Sequence, residues 1–157
     1  TSSCSKNFGL YRDRTGALIV CAKTADKLVD IRSQLANIAR NLWSTPPDHG
    51  AAVVATILGD PELKSLWADE VEAMRLRIAQ LRSGLVEALE PHGLRERFAH
   101  IGVQRGMFSY TGLTPEQVKQ LRDHHSVYMV GTGRANVAGI DATRLDLLAE
   151  AIAEVCK

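Results

Sequence analysis

Apolar positions along the chain repeat with two different periods. From Thr24 they recur at intervals of three and four (Leu28, Ile31, Leu35, Ile38, Leu42), which predicts an amphipathic helix with Thr24 at its N-cap, stopped by Pro46 and Pro47. His49 to Leu58, HGAAVVATIL, is small and apolar on nearly all sides and predicts a helix buried between layers. Asp60-Pro61-Glu62 then supplies an N-cap, a proline at the first helical position and an acid in the first turn. Leu63, Leu66, Trp67, Val71, Met74, Ile78, Leu81, Leu85 and Leu89 follow at helical spacing, so one helix is expected over 61–90. At 1.5 Å per residue it would run ~45 Å, longer than a compact body of this size needs, and it reads as a bridge between two domains. Arg75, Arg77 and Arg82 are interleaved with Asp69, Glu70, Glu72 and Glu87 and read as a solvated helix face rather than a basic patch.

Strand signals are shorter. Residues 17–22, ALIVCA, have the length and composition of a buried strand. Phe98 to Gly112 alternates, broken by Gly102 and Gly106, and predicts a hairpin or meander. Thr114-Pro115-Glu116-Gln117 is a capping box opening a helix to about His124. Val127–Val130 and Ala135–Val137 read as short strands, and Asp141 as the cap of a last helix through Leu145, Leu148, Ile152 and Val155. The organisation expected is α/β, with residues 1–74 carrying a strand and helices and residues 75–157 forming a small α+β domain.

Composition narrows the function classes. With 45% apolar and 24% charged residues, the 157-residue chain is of ordinary globular make-up. Nineteen basic against eighteen acidic side chains give a net charge of +1, so no overall field draws it to nucleic acid or an anionic membrane. Cys4, Cys21 and Cys156 are odd in number and lack metal-ligand spacing, which fits a reducing compartment and makes the cytoplasm the expected location. No apolar run reaches the ~18 residues that span a bilayer. A chemically dense segment from residue 3 onward, with no initiator Met, reads as part of a longer polypeptide.

Candidate chemistry is concentrated in a few places. GTGRAN at 131–136 lacks the following helix that a phosphate-binding glycine loop requires. Its glycines do allow close backbone approach, so Arg134 can be either structural or the fork that grips a carboxylate with two parallel hydrogen bonds. His124 and His125, adjacent on a helix, diverge and suit helix-end capping better than metal; no metal site is expected. The opening stretch, TSSCSKNFGLYRDRTG, places Lys6 among serines with Arg14 eight positions on. A lysine with an accessible neutral amine suits Schiff-base chemistry with an aldehyde cofactor, and hydroxyls with an arginine suit that cofactor's phosphate.

SSCSKNFGLYRDRTG resembles the cofactor-lysine segment of the class I pyridoxal-phosphate aminotransferases, in the aspartate and aromatic amino-acid subgroup. IARNLWSTPPDHGAAVVATIL, GMFSYTGLTPEQVKQLR and VYMVGTGRANVAGI resemble the same subgroup in the same order, so practically the whole chain is covered. The resemblance implies the C-terminal part of the aspartate aminotransferase-like fold: the end of a large doubly wound domain, then the small domain. It implies that Lys6 bonds the cofactor pyridoxal 5'-phosphate and shuttles the proton, and that Ser3 and Arg14 hold its phosphate. Arg134 would bind the substrate α-carboxylate. Arg40 would reach into the neighbouring subunit of a homodimer to meet a distal carboxylate, and Phe108 would line the pocket. The implied reaction passes an amino group from aspartate or an aromatic amino acid to 2-oxoglutarate. The family's pyridinium acid, cofactor-hydroxyl tyrosine, ring-stacking aromatic and glycine-rich phosphate contact lie upstream of the matched segments. Residues 1–157 alone are therefore expected to have negligible activity, the alternative being a non-catalytic small-domain module.

Overall fold

The computed structural model describes residues 1–157, which form six α-helices, four short strands and three single 3-10 turns. They divide into two compact units, Thr1–Val71 and Glu72–Lys157.

The first unit opens with β1 (Ser2–Ser3), which pairs antiparallel with β2 (Gly16–Ala17) in the register Ser2 to Ala17 and Ser3 to Gly16. The buried strand expected over 17–22 does not form. Only Ala17 joins a ladder, and Leu18 and Ile19 are 57% and 74% exposed. An extended apolar run needs strand neighbours for its N–H and C=O groups, and β1 meets β2 over two residues only. Helix α1 (Ala25–Trp43) follows the predicted periodicity, with Thr24 extended at the N-cap position but making no side-chain cap bond. Helix α2 (His49–Gly59) forms as predicted but is not enclosed on all sides: its one buried residue is Gly50, against the loop before β2. A Cβ at Gly50 would stand 1.9 Å from the Thr15 hydroxyl oxygen, so only glycine lets this helix start meet that loop.

Helix α3 (Pro61–Ala88) is the long element read from the sequence, ending two residues before 90, with a 3-10 turn over Glu90–His92. Its start is built as the residues require: Asp60 Oδ1 accepts from the amides of Glu62 (2.8 Å) and Leu63 (3.0 Å), and Pro61, with no N–H, needs no partner.

In the second unit, Leu85 of α3 and Leu89 just past its end pack with Phe98 and Ile101 of α4 (Arg95–Val103). Val118 and Leu121 of α5 (Pro115–His125), Leu113, and Ala149, Ala151 and Ile152 of α6 (Leu145–Val155) complete this core. Each fully buried large side chain contributes about 1.5–3 kcal/mol, so this cluster accounts for much of the unit's cohesion. The predicted hairpin over 98–112 does not form. Its first half is helix α4, because Phe98 and Ile101, three apart, share one buried face. Its second half, β3 (Phe108–Tyr110), pairs antiparallel with the distant β4 (Arg134–Asn136). Val127–Val130 is not a strand, and Val137 belongs to a 3-10 turn.

The capping box is present in full. The Gln117 amide donates to Thr114 Oγ1 (3.2 Å), and the Thr114 amide donates to Gln117 Oε1 (3.0 Å). Asp141 caps the 3-10 turn Ala142–Arg144 that leads into α6, rather than α6 itself.

Candidate functional site

The β1–β2 pairing turns residues 4–15 into a closed loop, fastened by Cys4 N–H to Thr15 O (3.0 Å). Inside it, Phe8 and Leu10 both donate to Cys4 O at 3.3 Å, so the chain curls around the Cys4 carbonyl. This closure brings the ends of the segment together: Ser3 pairs with Gly16, two positions beyond Arg14. Ser3 Oγ donates to Ser5 Oγ (3.0 Å) and accepts from the Ser5 amide (3.2 Å). Arg14, at φ 54°, donates through Nη1 to Tyr11 O (3.2 Å) and is exposed. Lys6 Nζ stands 4.0 Å from the centre of the Tyr11 ring, within cation–π range. An amine, two serine hydroxyls and a guanidinium are thus gathered on one exposed loop.

Helix α3 anchors that loop. Trp67 Nε1 donates to Asn7 O at 2.7 Å, and the Phe8 ring stacks on Trp67 with centroids 4.6 Å apart and planes inclined by 14°. Both contacts fall on the two residues after Lys6. Sequence reading placed Trp67 on an apolar helical stripe without assigning it this task. A Trp is the residue whose flat face can stack while its N–H still seeks an acceptor, and that is the signal available in advance. Nothing in the sequence pattern singles out Tyr11.

Arg40 lies in the last turn of α1, exposed, and its side chain makes no hydrogen bond or ion pair within the chain.

The second unit holds the other two candidates together. In the β3–β4 ladder Phe108 faces Asn136 and Tyr110 faces Arg134. Arg134 Cζ lies 5.2 Å from the Phe108 ring centre. Phe108, Tyr128, Met129, Val130, Arg134 and Asn136 line an open hollow of ≈ 320 Å³. The turn before Arg134 is closed by Gly133 N–H to Val130 O (2.8 Å) and Thr111 N–H to Gly133 O (2.9 Å). Gly133 sits at φ +81°, and a Cβ there would approach Leu113 O to 2.9 Å, so the glycine is required for the turn that presents Arg134.

Of the three arginines read as solvated helix face, Arg75 and Arg77 are exposed and Arg82 is buried. Arg77 donates to the carbonyls of Ala138 (3.1 Å) and Ile140 (3.3 Å) just past β4. Arg82 is 2% exposed and grips the loop and strand that carry Phe108. Burial pushes its guanidinium below the ordinary arginine range. The signal was present, since Ile78, Leu81, Leu85 and Leu89 put Arg82 on the apolar stripe. Arg75 is paired with exposed Glu72 at 2.6 Å and holds that carboxyl below its usual range.

A mixed α/β chain that presents a lysine amine among hydroxyls, with arginines placed for anions, is equipped for carbonyl and carboxylate chemistry. The family follows from comparison with known proteins. The model of the family "Aminotransferase class I and II" matches residues 1–152, and the chain belongs to that family. An aromatic-amino-acid aminotransferase of Pseudomonas aeruginosa is 76% identical over 156 residues, covering 99% of this chain and 39% of that protein. An aspartate aminotransferase of the same organism is 43% identical over 155 residues, with the same coverage of both. Among solved structures, the aromatic-amino-acid aminotransferase of Burkholderia pseudomallei, covalently bound to pyridoxal phosphate, superposes with TM-score 0.89. It is 46% identical, and the match covers 99% of this chain and 39% of that one. The chain thus spans about two fifths of the length of these relatives, and its fold is the corresponding part of the aminotransferase fold. No helix is long and apolar enough to cross a membrane.

Proposed function

We propose that this chain forms the lysine-bearing part of a pyridoxal-phosphate-dependent aminotransferase acting on aromatic amino acids or aspartate, with 2-oxoglutarate as acceptor. The observation that carries the reading is the closed 4–15 loop, which gathers Lys6, Ser3, Ser5 and Arg14 in a chain of this family. The 76% identity to an aromatic-amino-acid aminotransferase supports aromatic donors over aspartate.

The donor set fits the cofactor. Hydroxyls and an exposed guanidinium whose one hydrogen bond is to a backbone carbonyl are what a phosphate monoester takes, and the amine on the same loop is what an aldehyde takes. Bound pyridoxal phosphate supplies an electron sink that eases proton removal from the substrate α-carbon. Ser3 and Arg14 would hold its phosphate and Lys6 would attach it.

Lys6 Nζ would hold and move the proton at the substrate α-carbon. Arg134 forks onto the α-carboxylate, while Phe108 closes one side of that hollow to water. Exposed and unpaired within its own chain, Arg40 serves the distal carboxylate in the active site of a second copy, in a homodimer. An aromatic side chain would need that guanidinium turned aside, because a buried, unpaired cation opposes an apolar group.

The test uses the family-length polypeptide that carries this sequence. Lys6→Ala is expected to abolish transfer between an aromatic amino acid and 2-oxoglutarate, with loss of the visible absorbance of the bound cofactor. Unchanged turnover in that variant would overturn the reading.

A further inference from the structure

Arg82 is the largest fully buried side chain in the molecule, and it has no acidic partner. Of its five N–H donors, Nη1 serves Ile101 O (3.0 Å) and Ser109 Oγ, and Nη2 serves Gly106 O (2.6 Å) and Phe108 O (2.8 Å). The fifth, on Nε, is buried without a partner. Ser109 passes the network on, donating from Oγ to Gln104 Oε1 (2.8 Å). A cation placed here solely for cohesion is a poor device, since removing charge from water costs several kcal/mol per ion and apolar side chains of similar volume serve as well or better. What four charge-assisted bonds from one rigid fork do supply is geometry.

That geometry ends at the carboxylate hollow. Arg82 fixes the carbonyls at Gly106 and Phe108 and the side chain at Ser109, so it spans the loop and strand that set the direction of the Phe108 ring. Phe108 lines the hollow and lies under the Arg134 guanidinium. The neighbouring carbonyl, Met107 O, accepts from Val137 N–H (2.8 Å), which ties the same segment to the end of β4.

We propose that Arg82 is a positioning residue for the carboxylate-binding end of the site, acting from α3 through the 106–109 backbone on Phe108 and Arg134. The inference rests on the reading of Arg134 as the α-carboxylate arginine. Lysine at this position keeps the charge but offers three donors on a point, and it cannot reproduce the planar fork.

The test measures KM and kcat for amino acid and 2-oxo acid in the family-length holoenzyme, with cofactor absorbance and thermal midpoint recorded beside them. Both substrates carry an α-carboxylate, so Arg82→Lys is expected to raise both KM values about tenfold or more while cofactor absorbance is retained. Arg82→Met, with no donors, is expected to go further, and the order Arg, Lys, Met is the graded rescue that a cavity effect would not give. Ser109→Ala leaves Arg82 in place and removes one acceptor, so it keeps the test open if Arg82→Lys fails to fold; a several-fold rise in both KM values is expected. Folded Arg82→Lys or Ser109→Ala with unchanged KM and only a lowered thermal midpoint would overturn the positioning role. Arg134→Leu separates the two levels. If it too leaves KM unchanged, the reading of Arg134 falls; if it raises KM while the Arg82 and Ser109 variants do not, only the positioning inference falls.

Discussion

Replacing Trp67 by Phe tests how the lysine loop is held. The substitution keeps an aromatic ring to stack on Phe8 and deletes one bond, Nε1–H to Asn7 O at 2.7 Å. A net hydrogen bond of this kind contributes about 1 kcal/mol. The loop's local opening should therefore become about fivefold more frequent, since 1.4 kcal/mol corresponds to a factor of ten. Trp67→Ala also removes the stacked pair, worth roughly 0.5–1.5 kcal/mol beyond its buried area, so the increase should reach roughly thirtyfold. The assay is amide hydrogen exchange read by mass spectrometry on peptides covering residues 4–11, with a peptide from α6 as the internal control. Faster exchange at 4–11 with α6 unchanged is the expected pattern. No change at 4–11 in either variant would refute the claim that α3 anchors the loop, and equal acceleration in both peptides would show general destabilisation instead.

Thr114→Ala removes one half of the capping box and should lower stability by about 1 kcal/mol, measured by urea unfolding; an effect near zero would mean that Pro115 alone starts α5. Asp141 is held below its usual carboxylate range of 3.8 first by the Thr143 amide and then by the Thr143 hydroxyl. Its stabilisation is therefore fully present above the unfolded value and is lost as pH falls through the lower folded value. Compared with Asp141→Ala, the parent should keep a constant advantage in thermal midpoint down to about pH 5 and lose it steadily below about pH 4. An advantage that persists unchanged to about pH 2 would contradict the assignment.

Much of the helical framework was legible because it is locally determined. Asp60-Pro61-Glu62 and the Thr114 to Gln117 box announce helix starts with groups that bond within four residues, and both bond as read. Strands were less legible, since their partners lie far away. The segment 98–112 alternates like a hairpin, yet Phe98 is in a helix and Phe108 pairs with Asn136, a contact no local pattern encodes. ALIVCA has strand composition but no ladder beyond Ala17, because composition cannot supply neighbouring strands. The candidate site divides similarly. Lys6, Ser3 and Arg14 came from a motif, whereas Trp67 and Arg82 act through backbone carbonyls of other elements and leave only faint traces in the sequence. Arg82 shares a segment with the exposed Arg75 and Arg77, which obscures the fact that its own helical face is apolar.

The central claim, that Lys6 is the covalent attachment point for pyridoxal phosphate, is tested most directly by mapping the bond. The family-length polypeptide is incubated with pyridoxal phosphate, reduced with borohydride and digested, and the modified peptide is sequenced by mass spectrometry. The account predicts a phosphopyridoxyl group on Lys6 that disappears in Lys6→Ala. Label on another lysine, with Lys6 unmodified, would contradict it.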